Sequence, residues 1–172
     1  MLYKYVRTAG IVHPWLWCIW IPIAVGLLQA SNMSDAEKEA KCLRCICEAS
    51  SSCNANIVCS KPYFGGYRCG PLSISWHYWA DAGAPKLEGD ENLPSEIAFK
   101  NCVEEIYCAV ETVRNYMNKF KNESVDCDGN TGFTCEDVIR IQIMGGYACN
   151  DTGVTTDRRY EAYTTCMKST NN

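Results

Sequence analysis

The stretch that decides the fold is CLRCICEASSSCNANIVCSKPYFGGYRCGPLSISWHYW, residues 42–79. It is unusually dense in cysteine, with Cys42, Cys45, Cys47, Cys53, Cys59 and Cys69. Such density in a small domain is typical of chains that fold in an oxidising compartment, where disulfides persist. We therefore expect bridges that join a helix in the first half of the stretch to the loops and strand that follow it.

The N-terminus has the layout of a secretory signal. Lys4 and Arg7 precede an apolar run over residues 11–28, and small residues follow that run. The sequence therefore predicts a signal peptide of residues 1–30 and a mature domain of residues 31–172.

A membrane anchor is the alternative, because an apolar run of this length spans a bilayer if nothing cleaves it. Pro14 and Pro22 interrupt the run, and its early position favours the signal. We expect a secreted, extracellular protein.

The charge of the predicted mature chain restricts its partners. Lys4 and Arg7 leave with the signal and no acidic residue does, so 14 basic residues remain against 20 acidic ones, a formal charge of −6. An acidic chain is not attracted to nucleic acid or to anionic membranes. We expect no nucleic-acid partner, no membrane association after cleavage and a monomer without a cofactor.

The cysteine count is consistent with six disulfides. Cys18 lies in the predicted signal, which leaves an even number, twelve of the thirteen cysteines, in the mature chain. The sequence alone does not say which cysteines pair. A zinc site at Cys42, Cys45 and Cys47 is the alternative, but a zinc ribbon needs a second cysteine pair at similar spacing.

The hydrophobic spacing indicates a mainly helical α+β domain. Apolar residues at three- and four-residue steps predict helices over residues 35–50, 95–120, 134–144 and 157–167, the second of these being one helix or two in succession. Alternation at Leu72, Ile74 and Trp76 predicts a short half-buried strand in a hairpin region. The fold class is thus a small disulfide-rich domain with helices and a short β-hairpin region.

The motifs resemble those of one family. The stretch reads C-L-x-C-I-C, five residues, Cys, five residues, Cys, nine residues, C-G-P and then a Y-W pair. This pattern is similar to that of the invertebrate-type (i-type) lysozymes, which include destabilase. The layout continues through NCVEEIYCAVETVRNYMNKF and DCDGNTGFTCEDVIRIQIMGGYAC to Cys166, so the resemblance covers roughly residues 41–168. It implies a lysozyme-like fold and a glycan, peptidoglycan or a relative of it, as the partner.

The resemblance also implies a disulfide pattern. The expected pairs are Cys42–Cys127, Cys45–Cys166, Cys47–Cys53, Cys59–Cys69, Cys102–Cys108 and Cys135–Cys149. A further bridge of many relatives falls at Ala82 and Thr112, where both cysteines are absent together.

The family's catalytic carboxyl groups are replaced. A lysozyme uses one carboxyl group as general acid and a second as nucleophile or stabiliser. The family resemblance puts the glutamate at the position of Ser50 and the aspartate at Pro62 or Tyr63. We therefore expect no intact catalytic pair at these positions.

Glu48 and Asp81 are the acids next to be considered as replacements. Glu48 is the nearest to Ser50, but two residues along a helix amount to about 200° of rotation, so the two side chains face opposite ways. Asp81 follows Tyr78 and Trp79, where a structural hydrogen bond is the ordinary explanation.

The family resemblance also implies an isopeptidase activity. The residues that this activity needs are replaced in this chain. The family's serine positions are Gly66 and Arg68 here, and its histidine position is Gln142. A glutamine cannot act as a general base. His77 is the only histidine left after His13 leaves with the signal.

Aromatic residues are the positive signal for glycan binding. Aromatic faces suit the apolar sides of pyranose rings in a cleft with a few polar groups. We expect the binding residues to be Tyr63, Tyr67, Trp76, His77 and Tyr78, whereas Trp79 is assigned to the core.

The loop of residues 126–137 resembles a calcium loop only in part. Asp126, Asp128 and Asn130 have the spacing of oxygen ligands, but the turn glycine is displaced and Asp137 stands where glutamate is expected. We predict no metal site. Separately, N-glycosylation motifs occur at Asn32, Asn122 and Asn150.

These expectations combine into a secreted i-type lysozyme family member that recognises a glycan without muramidase turnover. The alternative is an active bacteriolytic lysozyme that cleaves the β-1,4 bond between N-acetylmuramic acid and N-acetylglucosamine through a relocated carboxylate such as Glu48. A secreted inhibitor or extracellular scaffold is a third class, for which the sequence offers no motif.

Overall fold

The computed structural model describes residues 33–59 and 67–169 of the chain. Within these ranges the elements are α1 (Asp35–Ser51), β1 (Arg68–Cys69), β2 (Ile74–Ser75), α2 (Trp76–Asp81), α3 (Ser95–Glu104), α4 (Ile106–Asn122), α5 (Cys135–Met144), a 3₁₀ turn (Thr152–Thr156) and α6 (Arg158–Ser169). The two strands form one antiparallel pair, with Arg68 opposite Ser75. The prediction of a mainly helical, disulfide-rich domain with a short hairpin is confirmed.

The chain divides into two units, Met1–Ser34 and Asp35–Asn172. The first lies almost wholly outside the described residues, and with it the predicted signal peptide and Asn32. Pro62, Tyr63 and Gly66 also lie outside them. In the part of the chain that the structure describes, no helix combines the length and the apolar character needed to cross a membrane.

Helix α4 provides the widest buried face of the core. Its inward residues recur at three- and four-residue steps, as expected for a helix that packs on one side; they are Cys108, Ala109, Thr112, Val113, Tyr116, Met117 and Phe120. Phe120 is fully buried, and burial of a side chain of this size contributes about 1.5–3 kcal/mol. Residues from every helix and from both strands join the same core cluster.

Two helices that are far apart in sequence pack together. The main packing partner of α1 is α6, and a disulfide between Cys45 and Cys166 joins them. Cys45 and Ile46 on α1 are fully buried. The first and last helices of the described fold therefore form one layer.

All twelve cysteines of the described ranges form disulfides, which leaves no thiolate for the zinc alternative. Four bridges agree with the family expectation: Cys45–Cys166, Cys47–Cys53, Cys59–Cys69 and Cys102–Cys108.

Two pairings that the resemblance implied, Cys42–Cys127 and Cys135–Cys149, differ in the structure. Cys42 pairs with Cys135 and Cys127 pairs with Cys149. The reason is local: Cys135 is the first residue of α5, which packs against α1, and this brings it next to Cys42. Cys127 lies earlier in the loop, where its N–H donates to Asp137 Oδ1 at 3.0 Å.

The structure changes one element boundary that the sequence predicted and decides one alternative that the sequence left open. The predicted strand through Leu72 and Trp76 is only Ile74–Ser75, because the Ser75 side chain accepts a hydrogen bond from Tyr78 N–H and begins a helix at Trp76. The segment of residues 95–120 is two helices. Glu105 interrupts it in an extended conformation and caps α4, since its carboxylate accepts hydrogen bonds from two backbone N–H groups.

Candidate functional site

The C-terminal end of α1 holds the position of the family's general acid. Ser50 is half-buried there, and the neighbouring Ser51 donates from Oγ to the carbonyl of Pro71 at 2.6 Å. That bond ties the end of the helix to the turn between the two strands. The side chain at position 50 is thus a hydroxyl on a fixed helix end, and a serine hydroxyl is too weak an acid to protonate a leaving group at neutral pH.

An aromatic pocket lies beside the hairpin. Its volume is about 380 Å³, and its lining residues come from β2, α2, α3 and the segment before β1: Tyr67, Ser75, Trp76, His77, Glu96, Phe99 and Lys100. The structure therefore brings Tyr67, Trp76 and His77 together, three of the five residues expected to bind glycan. Tyr63 lies outside the described residues.

The ring of Trp76 is held in place by other aromatic rings. Its centroid lies 5.2 Å from that of Trp79 and 5.4 Å from that of Phe99. Trp79 is buried, as expected, and its indole N–H donates to the carbonyl of Pro85 at 2.8 Å. Trp76 itself is 37% exposed, so the pocket presents an oriented indole surface to solvent.

One carboxylate lines the pocket among the described residues. Glu96 pairs with Lys100 one helical turn later, with Oε1 and Nζ 3.2 Å apart. The pair is solvent-exposed, so it contributes little to stability. It does supply both a hydrogen-bond acceptor and a cationic donor at the edge of an apolar surface.

Tyr78 was expected to bind glycan, and the structure corrects this. It is only 8% exposed, and its ring stacks on Tyr116 with centroids 3.7 Å apart. Burial raises the pKa of Tyr78 well above its usual value, with the neighbouring Tyr116 adding to the effect. Each helical residue rotates about 100°, so α2 directs Tyr78 into the core and His77 into the pocket.

Glu48 lies in a different depression of the surface. This open groove of about 500 Å³ runs between α1 and α6, where its charged lining residues are Arg44, Glu48, Arg158 and Glu161. Ser50 lies about 200° further round α1. Glu48 is therefore poorly placed to replace an acid at position 50.

The family's isopeptidase positions hold structural residues. Gln142 is 5% exposed, and its Nε2 donates to the carbonyl of Leu72 at 2.7 Å. Arg68 lies in β1 and donates from Nη1 to the carbonyl of Ser73 at 3.3 Å. Both side chains hold the hairpin turn rather than presenting a nucleophile or a base.

Asp81, the last residue of α2, faces α4. Its Oδ2 lies 3.7 Å from Lys119 Nζ. This ion pair gives Asp81 a structural contact between two helices, in keeping with the structural role expected for it.

Three carboxylates meet in the loop of residues 126–137. One oxygen atom each of Asp126, Asp128 and Asp137 lies within 4.8 Å of the others. Each carboxylate already accepts hydrogen bonds from loop N–H groups, such as those of Gly129, Asn130 and Thr134. These bonds explain the cluster as a brace for the loop, and the absence of a metal site stays a prediction.

Sequence reasoning missed the contribution of α3 to the pocket. Glu96, Phe99 and Lys100 follow one another at helical spacing, but in the sequence that spacing indicates an ordinary amphipathic helix. Only the packing of α3 against α2 brings them to Trp76. No local pattern could have shown this.

Comparison with known proteins agrees with this arrangement. The sequence model of the Destabilase family matches residues 39–169. Invertebrate-type lysozyme 2 of Caenorhabditis elegans is 34% identical over 122 residues, which cover 71% of this chain and 83% of that protein. The lysozyme of Magallana gigas is 33% identical over 115 residues, 67% of this chain and 72% of its own length.

Solved structures show the same relationship. The inhibitor-bound lysozyme of Meretrix lusoria matches with a TM-score of 0.56 and 27% identity, covering 73% of this chain and 90% of that one. The lysozyme of Tapes japonica matches with a TM-score of 0.54 and 26% identity, covering 74% and 87%. With the family match spanning most of its length, the chain belongs to the Destabilase family of invertebrate-type lysozymes.

Proposed function

We propose that this protein is a secreted glycan-binding member of its family that does not turn over peptidoglycan. The observation that carries the proposal is Ser50, a hydroxyl at the position of the general acid. A general acid contributes about 10²–10⁴-fold to the rate, and a serine cannot replace it. The second family position, Pro62 or Tyr63, has no carboxyl group either.

The aromatic pocket supports retained binding. Tyr67 and Trp76 are 44% and 37% exposed, so their rings are open to a ligand. Ser75, His77 and the Glu96–Lys100 pair add hydrogen-bonding groups around them. An apolar surface with a few polar groups at its edge is the usual chemistry of a sugar-binding cleft.

An active lysozyme with relocated acids is the second candidate. Hydrolysis of a glycoside requires two carboxyl groups that face each other across the bond, about 5–10 Å apart. Glu96 is the single carboxylate that lines the pocket within the described residues, and it is paired with Lys100. Glu48 lies in the groove between α1 and α6. The arrangement therefore favours binding over turnover.

The disulfides support an extracellular location. Six bridges within residues 42–166 are typical of chains that mature in an oxidising compartment. The signal-like layout of residues 1–30 agrees with this route.

Two assays on the purified protein test the proposal. We expect retention on insoluble peptidoglycan or chitin, with no clearing of a bacterial cell-wall suspension. Trp76→Ala should reduce retention several-fold, whereas Tyr107→Ala, which alters an 82% exposed tyrosine on α4, should not. Clearing at a rate near that of an active relative would refute the loss of turnover, and equal retention of both variants would refute the binding site.

A gain-of-function variant tests the catalytic argument directly. Ser50→Glu combined with Pro62→Asp restores both family carboxyl groups, with Ser50→Gln/Pro62→Asn as the matched uncharged control. We expect measurable cell-wall lysis from the first double variant only. Lysis by the control would show that the carboxyl groups are not what the chain lacks.

A further inference from the structure

The turn that follows α5 presents an aromatic ring to solvent close to a glycosylation motif. Tyr147 is 77% exposed although it is a large aromatic residue. Three residues later the chain reads Asn150-Asp151-Thr152, a sequence that accepts N-linked glycans in secreted proteins. Asn150 and Thr152 are both exposed, so the motif is open at the surface.

The ring of Tyr147 is fixed in orientation while most of its surface stays open. Its centroid lies 5.4 Å from that of Phe120, and its hydroxyl donates to Glu123 Oε2 at 3.5 Å. Lys119 Nζ lies 5.9 Å from the ring centroid. A ring that is already held loses little conformational freedom when a second group packs on it.

The backbone between the two residues is compact. Ala148 N–H donates to the carbonyl of Gly145, and Asp151 N–H donates to the carbonyl of Ala148, which makes two successive turns. The Cys127–Cys149 disulfide fixes the residue just before Asn150. Asn150 is thus anchored three residues after the tyrosine, in the second of two successive turns.

We infer that Asn150 is an N-glycosylation site whose first N-acetylglucosamine packs on the ring of Tyr147. In the transfer, the Asn150 amide nitrogen forms a bond to the anomeric carbon of an oligosaccharide carried on a polyprenyl diphosphate. The bond from that carbon to the diphosphate oxygen breaks, the lipid diphosphate leaves, and the amide releases one proton. The site depends on the secretory route of the proposed function, but not on glycan binding by the aromatic pocket.

The motif at Asn122 requires a control, because it lies close to the same ring. Asn122 is exposed at the end of α4, and the next residue, Glu123, accepts a hydrogen bond from the Tyr147 hydroxyl. A glycan at Asn122 would therefore share the surroundings of Tyr147. All variants are made in an Asn122→Gln background, so that any coupling to Tyr147 is assigned to the sugar at Asn150.

The experiment is a double-mutant cycle between the sugar and the ring. The full chain is secreted from a eukaryotic host behind an added cleavable leader, so that entry into the secretory route does not depend on residues 1–30. The glycans are kept in the high-mannose form and trimmed enzymatically to a single N-acetylglucosamine. Wild type, Tyr147→Ala, Asn150→Gln and the double variant are then compared by peptide mass spectrometry and urea unfolding.

We expect the Asn150 peptide to carry the mass of one N-acetylhexosamine. Tyr147→Ala should lower the folding equilibrium constant about two- to tenfold more in the glycosylated protein than in the Asn150→Gln background, the range of an aromatic packing contact. Tyr147→Phe should retain the coupling. If Tyr147→Ala fails to fold, Tyr147→Leu takes its place, since leucine packs on Phe120 without offering an aromatic face.

Two results would overturn the inference. They are an unmodified Asn150 in the secreted protein and equal effects of the tyrosine change with and without the sugar. Tyr107→Ala controls for the loss of an exposed tyrosine distant in sequence from either motif. Loss of binding to peptidoglycan would contradict the proposed function and leave this inference unaffected.

Discussion

Gln142 is a buried amide with a specific task. Its Nε2 donates to the carbonyl of Leu72 at 2.7 Å, which joins α5 to the turn of the hairpin across 70 residues of sequence. The family resemblance implies a histidine at position 142, and from the sequence this position stands out only because that histidine is absent. Leu72 is buried away from water, so its carbonyl needs a hydrogen-bond donor from the protein. Gln142 provides that donor.

Removal of this donor should destabilise the hairpin. We expect Gln142→Leu to lower the free energy of unfolding by about 1–3 kcal/mol, because the Leu72 carbonyl is then buried without a partner. Urea denaturation followed by tryptophan fluorescence measures the change. The control is Asn101→Leu, whose exposed amide bonds Asp90 at the surface and should cost under about 0.5 kcal/mol. Equal costs for the two variants would contradict the role of Gln142.

Asp157 should make stability depend on pH. Hydrogen bonds from the Arg159 side chain, helped by the Arg159 N–H, hold the pKa of Asp157 below its usual value of 3.8, against the effect of burial. A pKa that is lower in the folded state means that the stabilisation is present above about pH 4 and is lost as the pH falls through the folded pKa. Asp157→Asn should therefore be less stable than wild type at pH 6, and the difference should disappear in strong acid.

Urea unfolding between pH 2 and pH 7 measures this difference. The fully exposed Asp35, which pairs with Lys38 three residues later, provides the control variant Asp35→Asn. A difference that stays constant over the whole pH range would show that the carboxylate is not the source of the stabilisation.

At the scale of elements, the helix starts differ in how far the sequence predicts them. The sequence predicted a helix over residues 134–144, and α5 begins at Cys135 with both hydrogen bonds of a capping box between Thr134 and Asp137. The sequence did not predict the start of α2, because the alternating pattern places Ser75 inside a strand. In the structure the Ser75 hydroxyl accepts a hydrogen bond from Tyr78 N–H and begins the helix. The difference is physical: the first signal is local, whereas the second depends on how the hairpin ends.

The cap of α5 gives a direct prediction. Thr134→Ala removes the hydroxyl that accepts from the Asp137 N–H, so it should lower the free energy of unfolding by about 0.5–2 kcal/mol. The exposed Thr131 in the same loop provides the control Thr131→Ala. Thermal unfolding by circular dichroism compares the two, and equal melting temperatures would rule out a stabilising cap.

At the scale of the whole molecule, the disulfides decide the connectivity. The family resemblance implied four of the six pairs that the structure shows. It failed at Cys127 and Cys135, which lie eight positions apart on one loop. Which of them reaches Cys42 is decided by the start of α5, and cysteine spacing does not contain that information.

Peptide mapping distinguishes the two pairings. Phe133 lies between Cys127 and Cys135, so chymotrypsin separates the two cysteines without reduction. We expect Cys42 to appear linked to the Cys135 peptide and Cys127 to the Cys149 peptide. Recovery of a Cys42–Cys127 peptide from the native protein would contradict the structure.

Loss of the long bridge should cost more than loss of a short one. The Cys42–Cys135 bridge spans 93 residues and the Cys47–Cys53 bridge spans six. Chain entropy predicts a contribution of about 4–5 kcal/mol from the first and roughly half of that from the second. Urea unfolding of the two double-serine variants measures the difference, and a larger loss from the short bridge would contradict this account.

The joining of α1 to the C-terminal half by two disulfides has a further consequence for proteolysis. A cut in the exposed loop between α2 and α3 divides the backbone into two fragments, yet Cys42–Cys135 and Cys45–Cys166 still connect them. Nicked protein would keep the mobility of the intact chain on a non-reducing gel and separate into two bands only after reduction. A single protease cleavage in this loop would thus leave both halves covalently joined.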